Sequence, residues 1–364
     1  MKRIYLDYAS LTPIDKGVMK EINKYSSRDY SNPSALYTSA VKSKNAVIDA
    51  KERIAKVIHA HPDEIVFTSG GTESNALTLA GQKVIISAIE HSSIIKTEND
   101  VTVITVDKNG IVDLELLKKS ITEETTLVSV MLVNNEIGTI EPIHEIAKIV
   151  RDARKKFEKG DDKIPRKFPL LHTDASQAGL ILLYVEKLGV DLMTLDGSKI
   201  YGPRGIGMLY VKRDTLNIIR AGTENVPGIM GFAYALELVE KKRENESKRI
   251  AELKNYFITE LFKINKDIKV NGDIEYPRNN KNISPHILNI SIPNIDNEFF
   301  ILKLDVKGIE CSTKSACLKD HDESYVLQAI GGNSKNSVRF SFGKYTTKND
   351  LKYSIKIIKK ILQK

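Results

Sequence analysis

Between residues 63 and 211 the chain alternates short apolar runs with polar or helix-like stretches, without an internal sequence repeat. "DEIVFTSG", "KVIISAI", "VTVITVD", "TLVSVMLV", "FPLLHTDA", "DLMTLDG" and "GMLYV" read as strands. "TESNALTLAG", "DLELLKKSI" and "PIHEIAKIVRDARKKFE" read as intervening helices. Such alternation indicates an α/β domain around a mostly parallel, seven-stranded sheet, with its ligand at the carboxyl ends of the strands.

The remaining chain is organised around that domain. "EKGDDKIPRKFP", 158–169, is charged, carries two prolines and reads as a surface insertion. From Gly228 to about Ile264 runs a long helical pattern, apolar at first and amphipathic later, expected to bridge to a second unit. "HILNISIP", "EFFILKLDVKG", "SVRFSFG" and a terminal helix then form a small α+β unit that the N-terminal residues join. The expected division is a large α/β domain over 13–228, a bridging helix over 229–264, and a small domain made of 1–12 and 265–364.

Composition narrows the functional classes. No apolar run reaches the roughly 18 residues of a membrane span, and "MKRIYLDYAS" lacks a signal-peptide core, so a cytoplasmic protein without membrane association is expected. The net charge of +8 comes from lysines spread over helical faces such as "EKKRENESKRIAELKNYF" and "YSIKIIKKILQK". No RNA-binding or zinc-finger motif accompanies them, which favours solvated basic faces over direct nucleic-acid binding and leaves an acidic protein partner open. The two cysteines, Cys311 and Cys317, form no CxxC pair and have no histidine cluster at zinc spacing. Neither a disulfide framework nor a metal site is indicated, and one thiol is left to do work.

Three stretches suggest chemistry. "TLDGSKIYGPRGIGMLYV" pins Lys199 between two apolar strands, a setting that disfavours the ammonium form and makes a Schiff base with an aldehyde feasible near neutral pH. "TSGGTESNA" places Gly70, Gly71, Thr72 and Ser74 between a strand and a helix, a turn that suits a phosphate and equally serves as a structural cap. "LLHTDASQAG" ends a strand with Asp174 and Gln177; in isolation an N-cap and turn explain it as well as a ligand site does. In that order, phosphate loop, carboxylate and lysine meet the needs of pyridoxal 5'-phosphate: a grip on phosphate, a partner for the pyridinium nitrogen and a Schiff-base amine.

With these stretches the chain resembles the cysteine desulfurases, fold-type I pyridoxal-phosphate enzymes of the class V aminotransferase group. "IYLDYASLTP", "SNPSALY", "FTSGGTESNA", "IEHSSI", "VNNEIGTIEPI", "HTDASQAG", "DGSKIYGPRGIGMLYV", "RAGTENVPGIMGF", "CSTKSAC" and "SVRFSFGKYTT" follow in family order over nearly the whole chain. The resemblance implies that Lys199 carries the cofactor, Asp174 pairs with its ring nitrogen and His91 stacks on its face. Asn135 and Gln177 would reach the ring hydroxyl, Gly71 and Thr72 the phosphate, and Thr223 the phosphate of a partner subunit, hence a homodimer. Arg339, helped by Asn32, would clamp the carboxylate of L-cysteine bidentately. Cys317 would be the nucleophile that takes the sulfur as a persulfide for an acceptor protein in iron–sulfur assembly or tRNA thiolation. Taken singly, His91 also reads as a polar turn residue and Arg339 as a strand-end charge.

Several positions depart from the family pattern. Asp196 and Ser198 stand where the family writes Ser-x-His before the lysine, Tyr37 replaces a histidine, and Lys314 replaces a glycine close to Cys317. A Gly-Gly-Gly-Gln-Glu loop is absent where "TLNII" runs directly into "RAGTEN". Three readings follow: a working desulfurase, a related enzyme such as a selenocysteine lyase or an aminotransferase, or a silent scaffold that binds a sulfur acceptor. Joint retention of Cys317, Lys199 and Arg339 favours the first.

Overall fold

Each of the seven apolar runs becomes a strand of one sheet in the computed structural model, which describes residues 3–97, 100–158, 168–218, 221–272, 282–313 and 323–363. In chain order the first elements are β1 (Ile4–Tyr5), α1 (Lys16–Asn23), α2 (Thr38–Ile58), β2 (Ile65–Thr68), α3 (Gly71–Leu79), β3 (Val84–Ser87), α4 (Ser92–Ile95) and β4 (Val101–Ile104). There follow α5 (Leu114–Ser120), β5 (Leu127–Ser129), α6 (Ile143–Phe157), β6 (Leu170–Asp174), α7 (Val185–Leu188), β7 (Leu192–Asp196) and β8 (Gly207–Val211). The last are α8 (Val226–Ile264), β9 (Lys269–Val270), β10 (Ile287–Ser291), α9 (Asn297–Asp305), β11 (Ile309–Glu310), α10 (Tyr325–Ala329), β12 (Ser337–Ser341) and α11 (Lys348–Leu362).

The sheet runs in the order β2-β8-β7-β6-β5-β3-β4. The strands from β7 to β4 pair in parallel, while β8 is antiparallel to both of its neighbours. Every residue of β6 and β8 is buried. Burial on both faces is why these strands read as unbroken apolar runs rather than alternating ones. Residues 13–62, which carry no strand signal, form α1 and α2. The buried face of α2 is built largely from Ala40, Ser43, Ala46, Ala50 and Ala55, so its contrast in hydropathy is low.

The helix α8 serves two cores. Ile229, Phe232 and Leu236 pack into the core of the large sheet, while Ile250, Phe257 and Leu261 pack with Leu6, Leu288 and Phe340 in a second core. Around that second core β10 lies between β9 and β12, and β1 pairs in parallel with β11, which brings the first residues of the chain to its end. Alternation along β12 buries Val338 and Phe340 in this core and turns Arg339 to the opposite side. Most of the 158–169 insertion, together with Lys314 and Cys317, lies outside the described residues.

Candidate active site

The carboxyl ends of the parallel strands β3, β5, β6 and β7 converge on a cavity of about 190 Å³. The turn after β3 brings His91, the segment after β5 brings Met131, Val133 and Asn135, β6 ends in Asp174, and the turn after β7 carries Lys199. Ala9 and Ser10 enter from the N-terminal segment, Arg339 from β12, and Gly71, Thr72 and Asn75 from α3. A larger cavity of about 670 Å³ lies beside Asn271, Ser291 and Asn333, and it holds none of the residues singled out from the sequence.

Several polar groups at the site have identifiable supports. The Asp174 carboxylate accepts the Ser176 N–H at 2.9 Å and the Asn75 Nδ2 at 2.8 Å, leaving acceptor capacity towards the cavity. His91 caps α4: its Nδ1 accepts the Ser93 N–H at 3.2 Å, which puts the proton of a neutral ring on Nε2. Behind Asp174, His172 is fully buried between Ser129 Oγ at 2.8 Å and Thr194 Oγ1 at 3.0 Å. Burial pushes its pKa down to about 4, so it ties three strands together as a neutral ring.

Gln177 is oriented by two partners. Its Nε2 donates to the Ala9 carbonyl at 2.8 Å, and its Oε1 lies 3.4 Å from His286 Nε2. Burial, reinforced by Lys254 and Arg339, drives the His286 pKa down to about 3. The neutral His286 therefore donates from Nε2 and accepts the Ser284 hydroxyl at Nδ1, at 2.6 Å. That leaves Gln177 one N–H for a ligand.

Lys199 sits in a single 3-10 turn, Gly197–Lys199, and its Nζ donates to the Ser10 carbonyl. A Cβ on Gly197 would meet the Pro203 and Ile206 carbonyls at 2.8 and 2.9 Å, so only glycine lets β8 pass this close to the lysine turn. The Arg339 side chain is 1% exposed. Its Nη1 donates to the Asn135 carbonyl at 2.7 Å, and its Nη2 donates to Asp7 Oδ1 at 2.8 Å and Ser10 Oγ at 2.6 Å. One Nη1 hydrogen and the Nε hydrogen remain; Nε has no partner among the described residues. A bidentate grip through both terminal nitrogens thus requires Asp7 or Ser10 to yield.

Other expected residues lie elsewhere. Asn32 is exposed, with its Oδ1 on the Ser34 N–H at 3.0 Å, and it does not line the cavity. Thr223 is exposed in the segment before α8. Ser198 is not among the lining residues; its carbonyl receives Thr12 Oγ1 at 2.8 Å. Ser74 is fully buried with its hydroxyl 2.8 Å from Thr68 Oγ1, so it faces the protein rather than an anion. Cys311 follows β11 and packs against the second core, where burial pushes its thiol pKa up, away from thiolate chemistry. Both flanks of the undescribed segment that holds Cys317 are fixed near the cavity. Ser312 exchanges backbone hydrogen bonds with Arg339 at 3.1 and 2.7 Å, Ser324 Oγ donates to Glu136 at 2.6 Å, and Tyr325 Oη donates to the Glu90 carbonyl at 2.5 Å, one residue before His91.

Asn75, Ser10 and Ser176 were not picked out from the sequence. Asn75 stands one helical turn after Gly71 on α3, a spacing that places both on one face, and this was the available signal. The set fits pyridoxal phosphate: an amine, an acceptor for a ring N–H, an amide donor and a helix N-terminus surround one cavity. In addition, the buried Ser176 hydroxyl has no partner among the described residues and lies 3.2 Å from where a Gly71 Cβ would stand.

The model of the aminotransferase class-V family matches residues 4–220 and 217–353. The cysteine desulfurase IscS of Dictyoglomus turgidum is 39% identical over 397 aligned positions, covering 100% of this chain and 96% of the relative. The chain belongs to the cysteine desulfurases of the aminotransferase class-V family. Cysteine desulfurase IscS 1 of Archaeoglobus fulgidus is 34% identical, with 99% and 97% covered. Among solved structures, a NifS-like protein superposes with a TM-score of 0.86 at 30% identity over the full length of both chains. SspA in complex with cysteine superposes with a TM-score of 0.76 at 29% identity, covering 95% of this chain and 100% of the other. The desulfurase fold is thus retained although Asp196 and Ser198 occupy positions where the family pattern has other residues. The structure decides what Asp196 does there: its carboxylate turns to the start of α3 and accepts the Gly71 N–H at 3.0 Å.

Proposed function

We propose that this chain is a working cysteine desulfurase that converts L-cysteine to L-alanine and holds the released sulfur as a persulfide on Cys317. What carries the reading is the convergence on one cavity of Lys199, Asp174, Gln177 and His91 with the α3 N-terminus and Arg339. Lys199 would hold the aldehyde carbon of pyridoxal phosphate, Asp174 would keep the ring nitrogen protonated, and Gln177 and Asn135 would face the ring hydroxyl. Gly71 and Thr72 would hold the phosphate. When bound, the cofactor supplies the electron sink that C–S cleavage requires.

The chain's own groups do the rest. Arg339, held by Asp7, Ser10 and the Asn135 carbonyl, presents its remaining N–H groups to the substrate carboxylate. The Lys199 amine would act as the base that takes the proton from the substrate Cα. Cys317 attacks the substrate sulfur: the C–S bond breaks, an S–S bond forms, the thiols reach the persulfide level and the substrate Cβ is reduced to a methyl group. The balance is L-cysteine plus Cys317 thiol giving L-alanine plus Cys317 persulfide. Support for Cys317 comes from the anchoring of Ser312 to Arg339, of Ser324 to Glu136 beside Asn135, and of Tyr325 to Glu90 beside His91.

A homodimer is part of the same reading. Leu36, Tyr37, Val41 and Ile48 are exposed in one stretch of chain, and a cavity of about 480 Å³ beside them is lined by Val47, Phe67, Ile218 and Gly222, next to Thr223. A second copy covering this face would bring Thr223 towards the neighbouring site. The sulfur acceptor is taken to be a protein of iron–sulfur assembly or tRNA thiolation, and the setting the cytoplasm; among the described residues no helix is long and apolar enough to cross a membrane. The test is to incubate the protein with L-cysteine and quantify alanine and protein persulfide. One alanine per persulfide is expected, with Cys317→Ser forming no persulfide. Pyruvate or transaminated product without persulfide would assign the chain to a different reaction.

A further inference from the structure

The N-terminus of α3 does not present an open cradle. Gly70 takes a φ of 153°, which exposes the first amides of the helix, and the Gly71 N–H among them points at Asp196 Oδ2 at 3.0 Å. The other carboxylate oxygen, Oδ1, accepts the Ser198 N–H at 2.8 Å. Both oxygens are thus held by backbone amides from two segments, the start of α3 and the turn that carries Lys199. Oriented amides at a helix start are the donors an anion uses. Arg204, a candidate counter-charge close in sequence, is exposed. The unpaired Ser176 hydroxyl lies against the same glycine, so a donor is available there for a second anionic group.

We infer that Asp196 is a tethered anion occupying the cofactor's phosphate position, so that cofactor binding to this chain is a displacement. The inference rests on the pyridoxal-phosphate reading above. The phosphate must take the Gly71 amide from the carboxylate and then share the cradle with it, or drive it out. Either course cancels much of what the phosphate would otherwise contribute, because like charges a few ångströms apart repel even at the dielectric of a protein surface. The chain should therefore discriminate weakly between pyridoxal phosphate and pyridoxal.

The experiment titrates full-length protein freed of cofactor with pyridoxal phosphate and, separately, with pyridoxal, following the visible absorption band. Wild type is compared with Asp196→Asn and Asp196→Ser, with thermal melting confirming that each variant folds. The expected result is pyridoxal phosphate bound about tenfold tighter or more by both variants, with pyridoxal affinity unchanged within about twofold. Inorganic phosphate should compete more effectively in the variants as well. Equal changes for both ligands, or no change in their ratio, would overturn the inference and leave Asp196 as a cap of its own turn. Failure of both ligands to give the band in wild type and variants alike would instead defeat the cofactor reading, and the inference with it.

Discussion

Replacing Glu90 by Gln should remove a cost that grows as pH rises. Glu90 is fully buried in the turn between β3 and His91. Its Oε1 accepts the Ser87 hydroxyl at 2.6 Å and the Met131 N–H at 2.9 Å, while Oε2 has no partner among the described residues. With no donor on Oε2 and no counter-ion beside it among the described residues, the buried site stabilises the ionised form poorly and favours the neutral acid. Burial, with the nearby Asp174 charge adding to it, pushes the pKa from 4.5 to about 8. Below about pH 4.5 the folded and unfolded states both hold the proton, and Glu90 costs nothing. Between that value and about pH 8 only the folded state holds it, so stability falls by about 1.4 kcal/mol per pH unit; above about pH 8 the loss is complete. Over this window the ceiling is about 5 kcal/mol, and about half would be decisive. Gln keeps the Oε1 acceptor and cannot ionise. Denaturant midpoints of wild type and Glu90→Gln across pH 5 to 9 read the effect together with the relief of Glu141, whose pKa is raised by burial and further by the Glu90 charge. The variant should match wild type at the acid end and exceed it increasingly at the alkaline end. Parallel profiles would show that Glu90 ionises in the folded protein as it does in the unfolded chain, and would refute the neutral, buried acid.

Borohydride treatment of the holoenzyme should fix the cofactor on Lys199, and Lys199→Ala should lose the visible band; a label mapped to another lysine would displace the assignment. Asn75→Ala deletes the amide that holds Asp174 and should weaken cofactor binding by about 1–2 kcal/mol, read by titration of cofactor-free protein. An unchanged dissociation constant would mean that the Ser176 N–H alone orients Asp174. Cys311→Ser should leave persulfide formation within about twofold of wild type, since the thiol is held against the second core with its pKa raised. Loss of persulfide in that variant would transfer the nucleophile's role away from Cys317.

The sequence by itself determined the seven strands, their order along the chain, and the placing of Asp174 and Lys199 at strand ends. Strands buried on both faces must be apolar throughout, and turn chemistry punctuates them locally, so both features are written in neighbouring residues. The long helix from Val226 to Ile264 was legible for the same reason, with an apolar first half and an amphipathic second half. The helix α2 was not, because small residues make up most of its buried face. Tertiary structure alone decided the state of the polar groups. Ser10 and Asp7 meet Arg339 across more than three hundred residues, and Asn75 reaches Asp174 from another strand-helix unit. It also decided the direction of Asp196. The sequence alone leaves that carboxylate free to rotate away, take up a proton, or pair with Arg204 or a nearby lysine. In the fold, β8 pairs with both β7 and β2, and the Asp196 carboxylate at the end of β7 accepts the Gly71 amide at the start of α3 and the Ser198 amide of its own turn. A local pattern records which residues are buried, but hydrogen-bond partners are fixed only when distant segments are brought together.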